Sequence, residues 1–112
     1  MFRLSMIALI MALSCEVGFA KEDRSSANFA MKGCRLFAGD QPLAASFNDG
    51  HCVGLIEGLV YAHPMICTPP GVTKQQAVRV VVQYIDQQPA RLHESFIDLA
   101  LEALRRAWPC KR

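Results

Sequence analysis

The cysteines are the residues of this sequence whose spacing most directly suggests chemistry. Of the five, Cys15 lies inside an apolar leader, and the others are Cys34, Cys52, Cys67 and Cys110. These four are an even number, and none belongs to the Cys-x-x-Cys pairs common in redox catalysts and zinc sites. In a short exported chain, this pattern predicts a domain cross-linked by two structural disulfides.

The three histidines do not form a recognisable catalytic or metal-binding set. His51, His63 and His93 lack zinc-ligand spacing with the cysteines, and the sequence has no haem-attachment motif or glycine-rich phosphate loop. Asp98 and Glu102 fall on the solvated face of a predicted helix, where charge pairing is the ordinary role of carboxylates. We therefore expect no enzyme activity, no cofactor and no metal site, which leaves binding as the class of function.

The first 20 residues have the pattern of a cleavable signal peptide. Arg3 supplies the basic start, residues 4–14 form the apolar run, and small residues precede the expected cleavage after Ala20. The apolar run is shorter than the roughly 20 residues that a membrane-spanning helix needs. The alternative is a lipoprotein signal in which Cys15 is lipidated and holds the protein on a membrane.

Removal of the leader leaves residues 21–112, which are enough for one domain. The whole chain carries a net charge of +2, with both signs interspersed along it. The basic cluster at its end comprises Arg105, Arg106, Lys111 and Arg112. Positive charge there complements the dipole at the end of a helix, so we expect no nucleic-acid partner.

Residues 21–28 are predicted to be a flexible segment and residues 29–112 a helical domain.

Two helices are predicted before residue 63. Ser25 or Ser26 can cap the first helix, which is expected to end near Phe37. A loop is predicted over residues 39–48, and the second helix over residues 49–62.

Two further helices are predicted in the second half. Thr73 and Gln76 form a capping box that starts the third helix, and Pro89 ends it. The fourth is expected to begin between residues 90 and 92 and to end at Trp108. The fold class predicted is all-α, with four helices arranged as two disulfide-linked hairpins.

The second predicted helix has glycine at every fourth position. Gly50, Gly54 and Gly58 leave one stripe of this helix almost without side chains. Each glycine costs a helix about 1 kcal/mol relative to alanine, which suggests that another backbone packs closely there. We interpret Gly54 and Gly58 as a helix crossing inside the domain, with a dimer interface as the alternative.

The helix order ranks the disulfide pairings. Consecutive helices with short connections run antiparallel, so the end of one lies near the start of the next. This favours Cys34 with Cys52 and Cys67 with Cys110, each pair closing a hairpin. Pairing Cys52 with Cys67 stays open as an alternative, although the loop after the second helix would have to travel back about 15–20 Å.

Several short segments form an ordered set of motifs over roughly residues 30–110. They are His51-Cys52-Val53-Gly54-Leu55-Ile56-Glu57-Gly58, Cys67-Thr68-Pro69-Pro70-Gly71-Val72-Thr73 with Gln76, Val80-Val81-Val82-Gln83-Tyr84-Ile85, Pro89-Ala90-Arg91-Leu92-His93, and Ala103-Leu104 with Ala107-Trp108-Pro109-Cys110. Together they resemble the Rap/Tai family of periplasmic immunity proteins of type VI secretion. Trp108 stands where the family commonly has Phe, and residues 61–64 stand where a longer acidic stretch is often seen.

The resemblance implies a small all-α protein, often dimeric, located in the periplasm. It implies that the chain binds and blocks a cell-wall amidase injected by neighbouring bacteria. The expected partners are therefore a secreted amidase effector and, as an option, a second copy of the chain. No membrane partner is expected unless Cys15 is lipidated.

If the protein is an immunity protein, we expect its contact surface to come from loops, because the helix faces are occupied by the core and by charge pairs. The loops are residues 39–48 and 61–65. The candidate contact residues are Tyr61, His63, Met65 and Ile66. Met65 and Ile66 would be exposed apolar anchors, although loop residues that fold back onto the core are as common.

Two alternatives from other classes stay open. One is a periplasmic stress protein similar to the small helical acid chaperones, which expose apolar surface when they open. Two disulfides that close hairpins would oppose such opening. The other is a lipid-anchored accessory protein, which depends entirely on Cys15.

Overall fold

The computed structural model describes residues 23–39 and 47–111, which form four α-helices and one 3₁₀ helix. The elements are α1 (Ala27–Ala38), α2 (Phe47–Ala62), α3 (Lys74–Asp86), the 3₁₀ helix (Pro89–Arg91) and α4 (Phe96–Ala107). These ranges contain two isolated β-bridges and no strand. The predicted all-α class is confirmed. The predicted leader with its cleavage site after Ala20, Cys15, and residues 40–46 of the predicted loop lie outside the described residues.

The start of α1 is tied to the start of α4. Ser26 caps α1 by accepting a hydrogen bond from the Phe29 amide, 3.4 Å away. The Phe96 amide donates to the Ser25 carbonyl at 2.8 Å, and the Ala27 amide donates to the Glu94 carbonyl at 2.9 Å. Residues 25–28, which the sequence placed in a flexible segment, therefore pair through backbone hydrogen bonds with residues 92–96, which lead into α4.

Helix α4 begins later than predicted, at Phe96 rather than between residues 90 and 92. Pro89–Arg91 forms the separate 3₁₀ helix, and Ser95 then caps α4 by accepting from the Asp98 amide at 3.4 Å. A Ser followed three residues later by Asp is itself a helix-start pattern. The sequence prediction was wrong because Pro89 also suits a first helical turn and comes earlier in the chain.

The core lies between the four helices and receives apolar side chains from each. Its buried residues are Ala27, Ala30, Met31, Cys34, Cys52, Ile56, Ile66, Ala77, Val78, Val81, Ile85, Phe96, Leu99, Ala100, Ala103 and Leu104. Burial of a large apolar side chain stabilises a fold by about 1.5–3 kcal/mol, so this cluster supplies most of the driving force for folding.

Gly33 is the residue that allows α1 and α2 to pack closely. A Cβ atom on Gly33 would overlap the carbonyl group of Asn48 and lie 3.0 Å from the Asp49 amide nitrogen. The α1 backbone therefore touches the first turn of α2, and no side chain larger than hydrogen fits between them.

The glycine stripe of α2 does not lie at such a crossing. A Cβ atom on Gly50, Gly54 or Gly58 would meet no described atom within 4 Å. The predicted crossing inside the domain is therefore wrong, because a helical period identifies a face of a helix but not what covers it. The alternative interpretation, a contact between two copies, stays a prediction.

Two disulfides close the helical hairpins. Cys34 is bonded to Cys52 with their Cα atoms 5.3 Å apart, and Cys67 to Cys110 with theirs 4.9 Å apart. These are the pairs that the helix order favoured, and Cys52 is not bonded to Cys67. The first pair is fully buried in the core, whereas Cys67 is exposed.

Candidate functional site

The turn that follows α2 is held rigidly against the end of α4. The His63 amide donates to the Leu59 carbonyl at 3.0 Å, and the Met65 amide donates to His63 Nδ1 at 3.2 Å. Further along, the Cys67 amide donates to the Trp108 carbonyl at 2.9 Å, next to the disulfide to Cys110. Residues 63–67 are therefore hydrogen-bonded to the end of α2 on one side and joined to the end of α4 on the other.

The four candidate contact residues do not all face solvent. Tyr61 is 82% exposed and Met65 is 45% exposed, while His63 is half-buried. Ile66 is only 6% exposed, pairs with Pro109 in a β-bridge and belongs to the core. Ile66 is therefore corrected from an exposed anchor to a core residue, and Tyr61 and Met65 are the accessible apolar side chains of this surface.

An open cleft of about 570 Å³ lies beside Met65, between the turn and the α3–α4 pair. It is lined by Pro64, Met65, Tyr84, Glu102, Arg105, Arg106, Pro109 and Cys110. Arg105 and Arg106 are exposed, so they place positive charge at its edge. The sequence interpretation assigned these arginines only to the helix dipole, and the structure adds that they border the same cleft as Met65.

Arg91 organises the polar side of this region. Its guanidinium donates five hydrogen bonds: two to Glu94, two to Glu102 and one to Gln88, all between 2.8 and 3.1 Å. The Tyr84 hydroxyl donates to Glu102 at 2.8 Å. The hydrogen bonds from Arg91, with that from Tyr84, lower the pKa of Glu102 to about 2. The negative charge of Glu102 is therefore offset inside this network.

Arg106 lies against Tyr84 at the edge of this network. The guanidinium carbon of Arg106 lies 5.5 Å from the centre of the Tyr84 ring, over its face. A cation over an aromatic face is attracted by the ring electrons. Arg106 thus covers Tyr84, while Glu102 binds Arg91.

Helix α2 presents an apolar face to solvent. Phe47 at its start is 73% exposed and Tyr61 near its end is 82% exposed, with the open glycine stripe between them. The Phe47 ring is stacked on His51 with the ring centres 5.9 Å apart. His51 in turn contacts Phe29 edge-on at 5.9 Å, so an aromatic chain links this face to α1.

A salt bridge borders this face where α2 meets α3. Lys74 Nζ lies 2.9 Å from Glu57 Oε1. The hydrogen bond to Glu57 raises the pKa of Lys74. This pair fixes the start of α3 against α2 close to Tyr61.

The described residues show no arrangement suited to catalysis by a bound metal. No group of three or more His, Cys, Asp or Glu side chains among them could hold an ion. His51, His63 and His93 are not brought together into one site. Likewise, none of the helices in residues 23–39 and 47–111 is long and apolar enough to cross a membrane.

Comparison with known proteins decides the family. A sequence model described as Rap1a immunity proteins matches residues 18–110. The chain belongs to the Rap1a immunity protein family. No curated protein and no solved structure matches it. The resemblance to Rap/Tai immunity proteins is thereby confirmed, and Rap1a membership supplies the coarse function, which is immunity exerted by binding a partner effector protein.

Sequence reasoning missed Phe47 and the cleft that Arg105 and Arg106 border. Phe47 was placed in a loop, although it lies three residues before Gly50 and so extends the glycine stripe by about one helical turn. That periodicity was a usable signal. No signal in the sequence predicted the cleft, because its shape depends on how the turn after α2 packs against α4 in the tertiary structure.

Proposed function

We propose that this Rap1a family member is a periplasmic immunity protein that binds and inhibits a peptidoglycan amidase effector of a type VI secretion system. The observation that carries this proposal is the family match over residues 18–110. Export follows from the predicted leader, with cleavage after Ala20. A second copy of the chain is included as a partner, as the family resemblance implies.

The surface around residues 61–65 suits inhibition of an enzyme. Met65 is an exposed apolar side chain on a turn fixed by backbone hydrogen bonds and by the Cys67–Cys110 disulfide. A contact surface that is already ordered loses little entropy when it binds, which favours tight association. We propose that His63 and Met65 contact the effector and block its substrate cleft. Tyr61, the remaining exposed candidate, lies on the last turn of α2, outside this contact.

The partner with which to test this is a secreted peptidoglycan amidase, and the first enzyme to try is any such amidase found encoded next to this gene. Titration calorimetry should show that Met65→Asp weakens binding at least about tenfold, because a charge would be buried in an apolar contact. Its thermal stability should stay close to that of the wild type, because Met65 is 45% exposed.

Leu36→Asp is the matched control. Leu36 is a similarly exposed apolar residue, 51% accessible, but it lies on α1 and away from the turn. It should leave the affinity unchanged. Equal losses of affinity in both variants would contradict the assignment of the surface, and no binding by the wild-type protein would contradict the proposed partner.

A further inference from the structure

The solvent face of α2 is unlike those of the other described helices. Its exposed positions carry no charge, whereas α1, α3 and α4 all expose charged side chains. Phe47 and Tyr61 stand at its two ends, 73% and 82% exposed. Glycine at exposed helical positions lowers helix stability, and no atom of the described residues packs there to compensate.

The residues on this face are arranged symmetrically along the helix. Phe47 and Tyr61 lie seven residues to either side of Gly54, and Gly50 and Gly58 lie four residues to either side. At about 100° per residue these positions share one side of the helix. The pattern of aromatic, glycine, glycine, glycine, aromatic is therefore nearly the same in both directions.

We infer that two copies of the chain pair through this face, with their α2 helices antiparallel and crossing at Gly54. The pairing rests on the homodimer included in the proposed function and assigns its surface. A two-fold interface uses the same patch on both copies, so each residue must suit its counterpart on the other copy. A face that is symmetric about one residue meets that requirement when the two-fold axis passes through the residue.

In the antiparallel arrangement, the start of one α2 helix lies beside the end of the other. At a rise of about 1.5 Å per residue, Phe47 and Tyr61 each lie about 10 Å from the crossing point. Phe47 of one copy then packs against the partner's Tyr61, and Gly50 against the partner's Gly58. The glycines let the two backbones approach closely enough for both aromatic pairs to meet.

Phe47 is already positioned for such a contact. Its ring is stacked on His51 with an interplanar angle of 17°, and His51 is braced edge-on by Phe29. A ring held in this way loses little conformational freedom on association.

The area of this face fits a modest dimer. An aromatic side chain buries about 150–250 Å² when covered, so the four mostly exposed rings of the pair would bury roughly 600 Å². The glycine stripes and flanking side chains bring the total close to the roughly 1,000 Å² that a specific interface needs. We therefore expect a dimer whose population depends on concentration in the micromolar range.

An effector protein is a weaker explanation of the same face. The symmetric spacing of aromatic residues and glycines about Gly54 matches a second copy of the same helix. An unrelated protein would not be expected to carry the same spacing on its surface. The contact residues proposed for the effector also centre on the turn at residues 63–65, beyond the end of α2. Occupation of the α2 face by an effector is nevertheless an outcome that the test distinguishes.

Gly54→Leu tests whether the two α2 helices cross closely at Gly54 or associate non-specifically through exposed apolar surface. Leucine has room in the isolated monomer and is a better helix former, so the melting temperature should rise. If α2 pairs closely at Gly54, the same variant should raise the dimer dissociation constant at least about tenfold, as measured by sedimentation velocity. The matched control is Gln83→Leu, which adds the same side chain at an exposed position of α3 and should not affect the dimer.

Cysteine substitution tests the register. Gly54→Cys should form a disulfide with the partner's own residue 54 on mild oxidation, because the two lie at the crossing. Gly50→Cys should not, because its equivalent on the other copy lies about 12 Å away along the helix axis.

The outcomes decide separately between the pairing and the immunity function. A wild-type protein that is monomeric at every concentration overturns the homodimer, and a dimer unaffected by Gly54→Leu overturns the α2 surface. Loss of amidase binding in Gly54→Leu together with a monomeric wild type would assign the face to the effector instead. A dimer that follows these predictions but does not bind the amidase supports the pairing and overturns only the proposed immunity against that enzyme.

Discussion

The two hairpins of this protein are closed by similar covalent links but are held by different forces. In the α1–α2 hairpin, the Cys34–Cys52 disulfide is fully buried and the backbones meet at Gly33. In the α3–α4 hairpin, Cys67 is exposed, and Arg91, Glu102 and Tyr84 form a partly exposed polar network between the helices. The first hairpin is therefore stabilised by close packing of buried groups. The second is stabilised by a disulfide that is accessible to reductant and by a carboxylate whose charge depends on pH.

This difference bears on function because the accessible hairpin carries the proposed contact surface. The Cys67–Cys110 disulfide fixes the end of the turn that presents Met65, and the cleft beside that turn is lined by residues of α3 and α4. The buried hairpin instead supplies a stable base and, through the outer face of α2, the surface proposed for a second copy.

The largest expected effect comes from selective reduction. Mild reductant should open Cys67–Cys110 in the folded protein, because thiol exchange requires access, while Cys34–Cys52 stays intact. Loss of a cross-link that spans 43 residues should lower the free energy of unfolding by about 4 kcal/mol. Alkylation followed by peptide mass spectrometry should label Cys67 and Cys110 first, and equal labelling of all four cysteines would remove the distinction between the hairpins.

Gly33→Ala should have the next largest effect. Its Cβ would overlap the Asn48 carbonyl group, and such overpacking costs up to about 3 kcal/mol. Gly58→Ala is the matched control, because its Cβ meets open space and alanine favours a helix by up to about 1 kcal/mol. Urea denaturation at low protein concentration should therefore give opposite signs for the two variants, and a tolerated Gly33→Ala would show that the α1–α2 contact is not sterically closed.

The smallest expected effect concerns acid. The pKa of Glu102 is lowered to about 2 in the folded protein, from about 4.3 in an unfolded chain. Its stabilising contribution is therefore fully present above about pH 4.5 and is lost as the pH falls through 2. Because the carboxylate is partly exposed, screening reduces the contribution to about 1 kcal/mol.

Glu102→Gln should accordingly be less stable than the wild type at neutral pH, and the two should converge as the pH approaches 2. Asp98→Asn is the control, because it removes one carboxylate from the same helix and leaves the hydrogen bonds of Arg91 intact. A constant difference between Glu102→Gln and the wild type from pH 7 to pH 2 would be evidence against the network. Retained structure and no protection of client proteins at about pH 2–3 would also exclude the acid-chaperone alternative.

Local signals in the sequence were enough for much of the fold. The Thr73 cap predicted the start of α3 correctly, since its hydroxyl accepts from the Gln76 amide at 3.1 Å. The cysteine pairs followed from helix order alone. The start of α4 did not follow from the sequence, because Pro89 suits a first helical turn and Ser95 suits an N-cap. The tertiary hydrogen bond from the Phe96 amide to the Ser25 carbonyl favours the start after Ser95.

The closest helix contact and the exposure of the turn residues could not be predicted from the sequence, because both depend on tertiary structure. Gly33 has no periodic signal, so the closest helix contact was placed wrongly on the glycines of α2, which face outward. Ile66 lies in a turn, where sequence offers no period to separate an exposed side chain from a buried one. The sequence placed the candidate surface on the turn after α2, but which of its residues are exposed was visible only from the structure.

The most direct test of the central proposal is an enzyme titration. The candidate type VI amidase would be incubated with isolated peptidoglycan and increasing amounts of this protein, while release of the cleaved peptide is measured. We predict that hydrolysis falls in proportion to added protein and ceases near one immunity chain per amidase. An undiminished rate in the presence of excess folded protein would contradict the proposed function.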